Sequence, residues 1–225
     1  AGHCGVWARV ENDASALLPI LLENGFDWHH ARPCEGESSP GYAMLTTWLA
    51  AGPSRLPVFA THQVGVGGLV LDSEGRVLLM QEMVSSHAKL EGMWKLPGGI
   101  VDPQEDLGAA AEREVFEETG VRARAQGVLC FHHRHGYRFG TSDLYFTVQM
   151  KAETTELRAQ ASEVRALTWM SLQDVSSDAQ VMDFNKRIIS NVGRPLLEPH
   201  WGSHGSIRAE HFCYFSPEGG QTRVE

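Results

Sequence analysis

The stretch that decides the fold is GGIVDPQEDLGAAAEREVFEETGV, Gly98 to Val121, which carries seven acidic side chains and a single base, Arg113. From Leu107 onward its residues favour a helix: three alanines, then Glu and Arg, with Gly120 as the stop. At about 3.6 residues per turn, Leu107, Ala111 and Val115 form an apolar stripe for a core. Glu114, Glu117 and Glu118 share the neighbouring face, so three carboxylates are expected to converge. Like charges at that spacing cost roughly a few tenths of a kcal/mol each, and carboxylates near a helix C-terminus oppose the macrodipole. Helix stability alone does not select this arrangement. A divalent cation reverses the sign, because clustered carboxylate oxygens are the hard ligands that Mg²⁺ and Mn²⁺ require. The alternative is a solvated acidic face on which Arg113 pairs with Glu117.

The rest of the chain sets bounds on the protein. With 225 residues, 42% hydrophobic and 21% charged, it is ordinary globular material for one large domain or two modest ones. No apolar run approaches the roughly 18 residues that a membrane-spanning helix needs, and the start AGHCGVWARVEND lacks the order of a secretory signal. The chain begins at Ala1 rather than methionine, which leaves room for a removed upstream targeting segment. A net charge of −9 argues against general nucleic-acid or anionic-membrane binding, which Lys and Arg supply. Cys4, Cys34, Cys130 and Cys213 stand far apart with no C-x-x-C, indicating neither a zinc site nor a disulfide framework. They are read as reduced thiols in an intracellular, most simply cytoplasmic, protein.

Along the chain, ASALLPILLENGFDWHHA has helical apolar spacing ending at Gly25, and GYAMLTTWL is strand-like. This small α+β unit, residues 1–59, ends in the Pro- and Gly-containing AAGPSRLPVFATHQ. A second domain, 60–195, opens with QVGVGGLVLDSEGRVLLMQEM, read as strand, turn at Asp72 to Gly75, and strand. SDLYFTVQM is a strand, ALTWMSLQDV a strand then a turn, and DAQVMDFNKRIISNV a closing helix. Residues 196–225 form a tail without clear periodicity. Gly65, Gly67 and Gly68 lie within a strand pattern with no helix after them, so they signify close backbone packing rather than a dinucleotide fingerprint.

The order Gly99, five residues, Glu105, seven residues, then REVFEETGV from Arg113 to Val121 resembles the Nudix box at each of its fixed positions. The strand order around it extends the resemblance over about Thr61 to Val192. THQVGVGGLVL, MWKLPGGIVDPQED and FGTSDLYFTVQM further resemble the subgroup that contains plant ADP-ribose/NADH pyrophosphatases and the vertebrate antisense fibroblast-growth-factor Nudix protein. The resemblance implies an α+β fold, a Nudix α/β/α sandwich with a mixed sheet, preceded by a small α+β domain like part of an acetyltransferase. It implies that Glu114, Glu117 and Glu118 bind Mg²⁺ or Mn²⁺ with the backbone carbonyl of Gly98. Glu105 and Arg113 would fix loop to helix through a charged contact, and Gly99 and Gly120 are positions where the chain turns tightly.

Family chemistry is attack of water on a nucleoside diphosphate derivative, ADP-ribose or NADH in first place, releasing AMP. Glu114, Glu118 and, from a later loop, Glu163 are candidates for the carboxylate that takes the proton. Substrate choice comes from outside the box. FHHRHGYRFG is read as a loop whose Arg134 and His135 receive the substrate, the alternative being a solvated basic turn. Trp94 is expected to pack under the box loop, and Trp28, His29 and His30 to serve packing or a dimer surface. A homodimer is expected. Competing functions are a nucleotide-binding regulatory module with weak turnover, and the same chemistry on capped RNA or coenzyme A.

Overall fold

The computed structural model describes residues 4–34, 41–84 and 90–193 and two short strands near the C-terminus. They belong to two compact units, Ala1–Thr61 and His62–Glu225. In the first, β1 (Gly5–Glu11), β2 (Asp27–Arg32) and β3 (Tyr42–Trp48) form an antiparallel sheet in the order β1-β3-β2. A 3-10 turn, Asn12–Leu17, runs into α1 (Leu18–Glu23), with Pro19 in its first turn where no amide bond is lost. The helical spacing that ends at Gly25 is this short helix, and WHHA lies in β2. A register shift between Trp28 and His30 makes a bulge there. His29 Nε2 donates to the Pro57 carbonyl at 2.8 Å, and His30 stacks on Phe59 with centroids 4.6 Å apart.

The second unit is a mixed sheet of β4 (His62–Leu71), β5 (Val77–Glu82), β6 (Ala123–Arg134), β7 (Ser142–Ala152), β8 (Val164–Met170), β9 (Cys213–Phe215) and β10 (Gln221–Arg223). Their order is β10-β9-β6-β7-β4-β5-β8, with β4 parallel to β7. Helices α2 (Leu107–Thr119) and α4 (Asp183–Ile189) cover its faces. Alternation along β4 sends Val66 and Val70 toward Ala110, Ala111 and Val115 of α2, and Leu69 toward Ile188 and Ile189 of α4. The result is the α/β/α sandwich. Gly68 permits the close approach on the α2 side, since a Cβ there would lie 2.4 Å from Val115 Cγ2 and 2.9 Å from Met150 Sδ. Gly68→Ala is therefore expected to cost about 1–3 kcal/mol by overpacking. Its urea midpoint should fall at unchanged slope, and an unshifted midpoint would refute the tight contact.

What positions the site is a parting of two strands. The turn after β4 is set by Asp72, whose Oδ1 accepts from the amides of Glu74 and Arg76 at 2.9 and 2.8 Å. β4 and β5 then pair at Leu71 and Val77 and diverge. The segment Lys95–Val101 lies between them: Lys95 exchanges both backbone bonds with Met80 of β5, each 2.9 Å. Pro97 and Gly99 accept from Gly68 and Val66 of β4, also at 2.9 Å, and Val101 donates to Val64 at 3.0 Å. Both strands thus hold the glycine loop that leads into α2.

Three expectations need correction. FHHR is not loop but the end of β6, paired with β7 through Phe131↔Phe146 to Arg134↔Asp143; the turn is confined to the residues before β7. SLQDV is not a turn: α3 (Leu172–Ser177) starts there, because Ser171 Oγ accepts the Asp174 amide at 3.1 Å as an N-cap. The closing helix begins only at Asp183, since Gln180 and Met182 bond to the backbone of Trp94 instead. Trp94 itself packs on the α4-side core. The C-terminal tail supplies β9 and β10, two three-residue strands at the edge of the sheet. Among the described residues, no helix is long and apolar enough to cross a membrane.

Candidate active site

The glycine loop is pinned from two sides. Gly98 has φ +151°, and a Cβ there would lie 2.1 Å from the Val66 carbonyl oxygen and 2.7 Å from Gly67 Cα. Only glycine lets the backbone come this near to β4. At Gly99 the obstacle is a carboxylate, with Glu114 Oε1 2.5 Å from the position of a Cβ. The Gly98 amide donates to Glu118 Oε2 at 2.7 Å. Loop and helix therefore meet through Glu114 and Glu118, one turn apart on α2.

Arg113 is the hub of the loop–helix junction. Its Nε and Nη2 donate to the two oxygens of Glu105 at 2.9 and 2.8 Å, a two-pronged pair. Nη1 reaches Glu114 at 2.8 Å and Glu117 at 3.3 Å, and Nη2 the Ile100 carbonyl at 3.1 Å. These guanidinium bonds hold the Glu105 carboxyl below its ordinary range, and the carboxylates push Arg113 further up. The family-implied contact of Glu105 and Arg113 is thus formed, and so is the Arg113–Glu117 pair of the competing reading.

The three carboxylates converge only in part. Among the described residues no three His, Cys, Asp or Glu groups are grouped so as to hold a metal ion. Glu117, with its side chain 52% exposed, leans to Arg113. Glu118 by contrast is 7% exposed, and burial raises its carboxyl to about 7. The Gly98 amide and Lys95 oppose the rise, while Glu114 and Glu163 add to it.

Glu118 faces a cavity of about 270 Å³ lined also by Met80, Glu82, Val84, Ser162 and Glu163. Glu163 is brought there by a loop tied to the end of α2: Arg158 donates to the Thr119 carbonyl at 2.8 Å and Gln160 to that of Glu118 at 3.2 Å. The Glu163 carbonyl then accepts from Met83 at 2.7 Å. A larger hollow, about 430 Å³, shares Glu117 but neither Glu114, Glu118 nor Glu163. Arg134 and His135 are placed elsewhere: Arg134 lies 3.6 Å from Asp143 and over the Tyr137 ring, and His135 Nδ1 is 2.9 Å from Ser142 Oγ. Neither lines the cavity of Glu118.

Two residues at the site were not singled out from sequence, Glu82 and Lys95. Their side chains pair with each other, and the Lys95 charge acts on Glu118. Alternation along β5 puts Met80 and Glu82 on one face, a signal that was available. Lys95 carries no such local signal, because its place beside Glu82 depends on the parting of β4 and β5.

Comparison with known proteins identifies the family and the fold. The profile of the NUDIX domain matches residues 61–192, and that of the Nudix hydrolase domain matches residues 1–49. Nudix hydrolase 8 of Arabidopsis thaliana is 39% identical over 174 residues, covering 77% of this chain and 45% of the relative. Nucleoside diphosphate-linked moiety X motif 6 of Homo sapiens is 37% identical over 189 residues, 83% of this chain and 57% of that protein. The chain thus spans about half the length of these relatives. A MutT NUDIX hydrolase from Burkholderia pseudomallei is similar in structure, with TM-score 0.50 and 25% identity over 59% of this chain and 99% of that one.

Proposed function

This chain belongs to the Nudix family, and from that premise we propose that it is a metal-dependent pyrophosphohydrolase. Its substrate is a nucleoside diphosphate derivative, ADP-ribose or NADH in first place, cleaved at the diphosphate with release of AMP. The observation that carries this is the buried Glu118, bonded to the Gly98 amide and sharing a cavity with Glu163, within a complete box. The human relative's name, which speaks of a nucleoside diphosphate-linked moiety, supports the substrate class.

The donor set fits Mg²⁺ or Mn²⁺: Glu114 and Glu118 offer hard oxygen ligands against the glycine turn, and the Gly98 carbonyl would be a further one. Glu117 is the side chain that must leave Arg113 for a third carboxylate to join. A bound divalent ion neutralises the diphosphate and lowers the pKa of its water. The protein's own part is to hold that geometry and to take a proton. Arg113 keeps Glu105 and Glu114 in place, and the Glu118–Gly98 bond locks the loop. Glu163, which lines the same cavity as Glu118, is assigned as general base. Glu163→Gln is then expected to lower kcat by about 10²-fold or more with KM little changed. Near-normal turnover would remove Glu163 from the mechanism.

The test of the function is chromatography of products after incubation with Mg²⁺ or Mn²⁺ and ADP-ribose, NADH, coenzyme A or capped RNA. AMP from ADP-ribose or NADH is the expected product. Cleavage of coenzyme A or capped RNA instead would keep the chemistry and change the substrate. Nucleotide binding without cleavage of any compound would turn the reading to a regulatory module.

A further inference from the structure

Behind the glycine loop, on the α4 side of the sheet, lies a side chain that the mechanism has not used. Tyr145 of β7 is the register partner of Gly65 in β4, and its ring runs along that strand. A Cβ on Gly65 would be 2.9 Å from Tyr145 Cδ2, and one on Gly67 would be 2.3 Å from the Tyr145 hydroxyl. The two glycines read as close packing are thus a furrow cut for this ring. Its hydroxyl ends at Gly67, the residue against which Gly98 is packed. Across β6, His132 is the register partner of Tyr145 and meets Phe184 of α4 edge-to-face at 5.1 Å. Rings from three elements therefore lead along the sheet to the loop that carries the candidate diphosphate site.

A half-buried tyrosine ordinarily gives its hydroxyl a partner. Here no hydrogen bond to the Tyr145 hydroxyl is formed among the described residues, although phenylalanine would fill the same furrow. Burial, together with the nearby Glu118, Asp143 and Glu114, raises the phenol above its usual range, so it remains a donor. We propose that Tyr145 is a substrate-binding residue whose phenolic O–H donates a hydrogen bond to an oxygen of the bound nucleoside diphosphate where it passes the Gly98 loop. The proposal rests on the hydrolase reading above and adds to it a contact from outside the box.

The test is Tyr145→Phe, which keeps the ring and removes one oxygen. ADP-ribose affinity is measured calorimetrically in the Glu118→Gln background, where turnover is suppressed, and steady-state kinetics with Mn²⁺ in the otherwise wild-type chain. Expected is about a tenfold weaker Kd and a matching rise in KM, with the melting temperature unchanged. Affinity and KM within twofold of the parent would overturn the proposal. So would a loss matched by a fall in melting temperature, since that marks a structural hydroxyl. If the wild-type protein neither binds nor cleaves ADP-ribose or NADH, the hydrolase reading fails and this contact fails with it. If wild type turns over normally and Tyr145→Phe matches it, only the contact fails.

Discussion

Glu118→Gln is expected to abolish turnover nearly completely, by about 10³-fold or more in kcat, while leaving the fold intact. Roughly 4 kcal/mol of transition-state stabilisation is the scale at which a cation clamp on a diphosphate operates, and each 1.4 kcal/mol or so is tenfold in rate. The replacement is nearly isosteric, and its amide oxygen still accepts from the Gly98 amide, so the loop should hold. Stability should move the other way. Burial raises the Glu118 carboxyl from its ordinary value near 4.5 to about 7, so the folded chain keeps a proton that the unfolded chain has lost. Native stability of the metal-free protein therefore falls as pH rises between those values and stays low above them. Glutamine does not titrate. The melting temperature of metal-free Glu118→Gln should gain on that of wild type between pH 5 and pH 8, and Mn²⁺ should raise the wild-type value alone. A gap that is the same at both pH values would show that Glu118 is not desolvated in the native state.

The same side chain marks where sequence reasoning reaches and where it stops. The helix Leu107–Thr119 and its left-handed stop at Gly120 (φ +70°) were legible because each is written in neighbouring residues, whereas the Glu105–Arg113 pair was implied by the resemblance to the Nudix box. Helical periodicity also placed Glu114, Glu117 and Glu118 on one face. It offered the Arg113–Glu117 pair as an alternative but could not say that Glu118 would be buried beside it, since that outcome depends on where the loop Gly98–Ile100 docks. The docking follows from the parting of β4 and β5, a contact between strands that no local pattern encodes. FHHR reads as a loop in sequence because its polar and basic residues mask alternation, yet pairing with β7 overrides their weak propensity. Gly65 and Gly67 do signify close packing, but the ring they receive comes from Tyr145, distant in sequence and on another strand.

Gly98→Ala is expected to be the most damaging single-methyl change in the second unit. Two penalties coincide there. The backbone sits at φ +151°, a region that costs an L-residue about 1–3 kcal/mol. The new Cβ would also lie 2.1 Å from the Val66 carbonyl oxygen and 2.7 Å from Gly67 Cα, both backbone atoms of a paired strand. No rotamer relieves such a clash, so the loop must lift from β4, taking with it the Val66–Gly99 bond of 2.9 Å and the Gly98–Glu118 bond of 2.7 Å. A total loss of about 2–4 kcal/mol is expected in chemical denaturation. Gly75→Ala is the control: its φ is +75° but nothing lies within 4 Å of its Cβ position, so it should show the conformational cost alone, about 1 kcal/mol. Turnover separates the two further, because lifting the loop removes the amide that orients Glu118, whereas the β4–β5 turn touches none of the candidate catalytic groups. Gly98→Ala with a wild-type midpoint would disprove the close approach. A lowered midpoint with full turnover would show that the loop's grip on Glu118 is dispensable for chemistry, and would move the candidate site away from this junction.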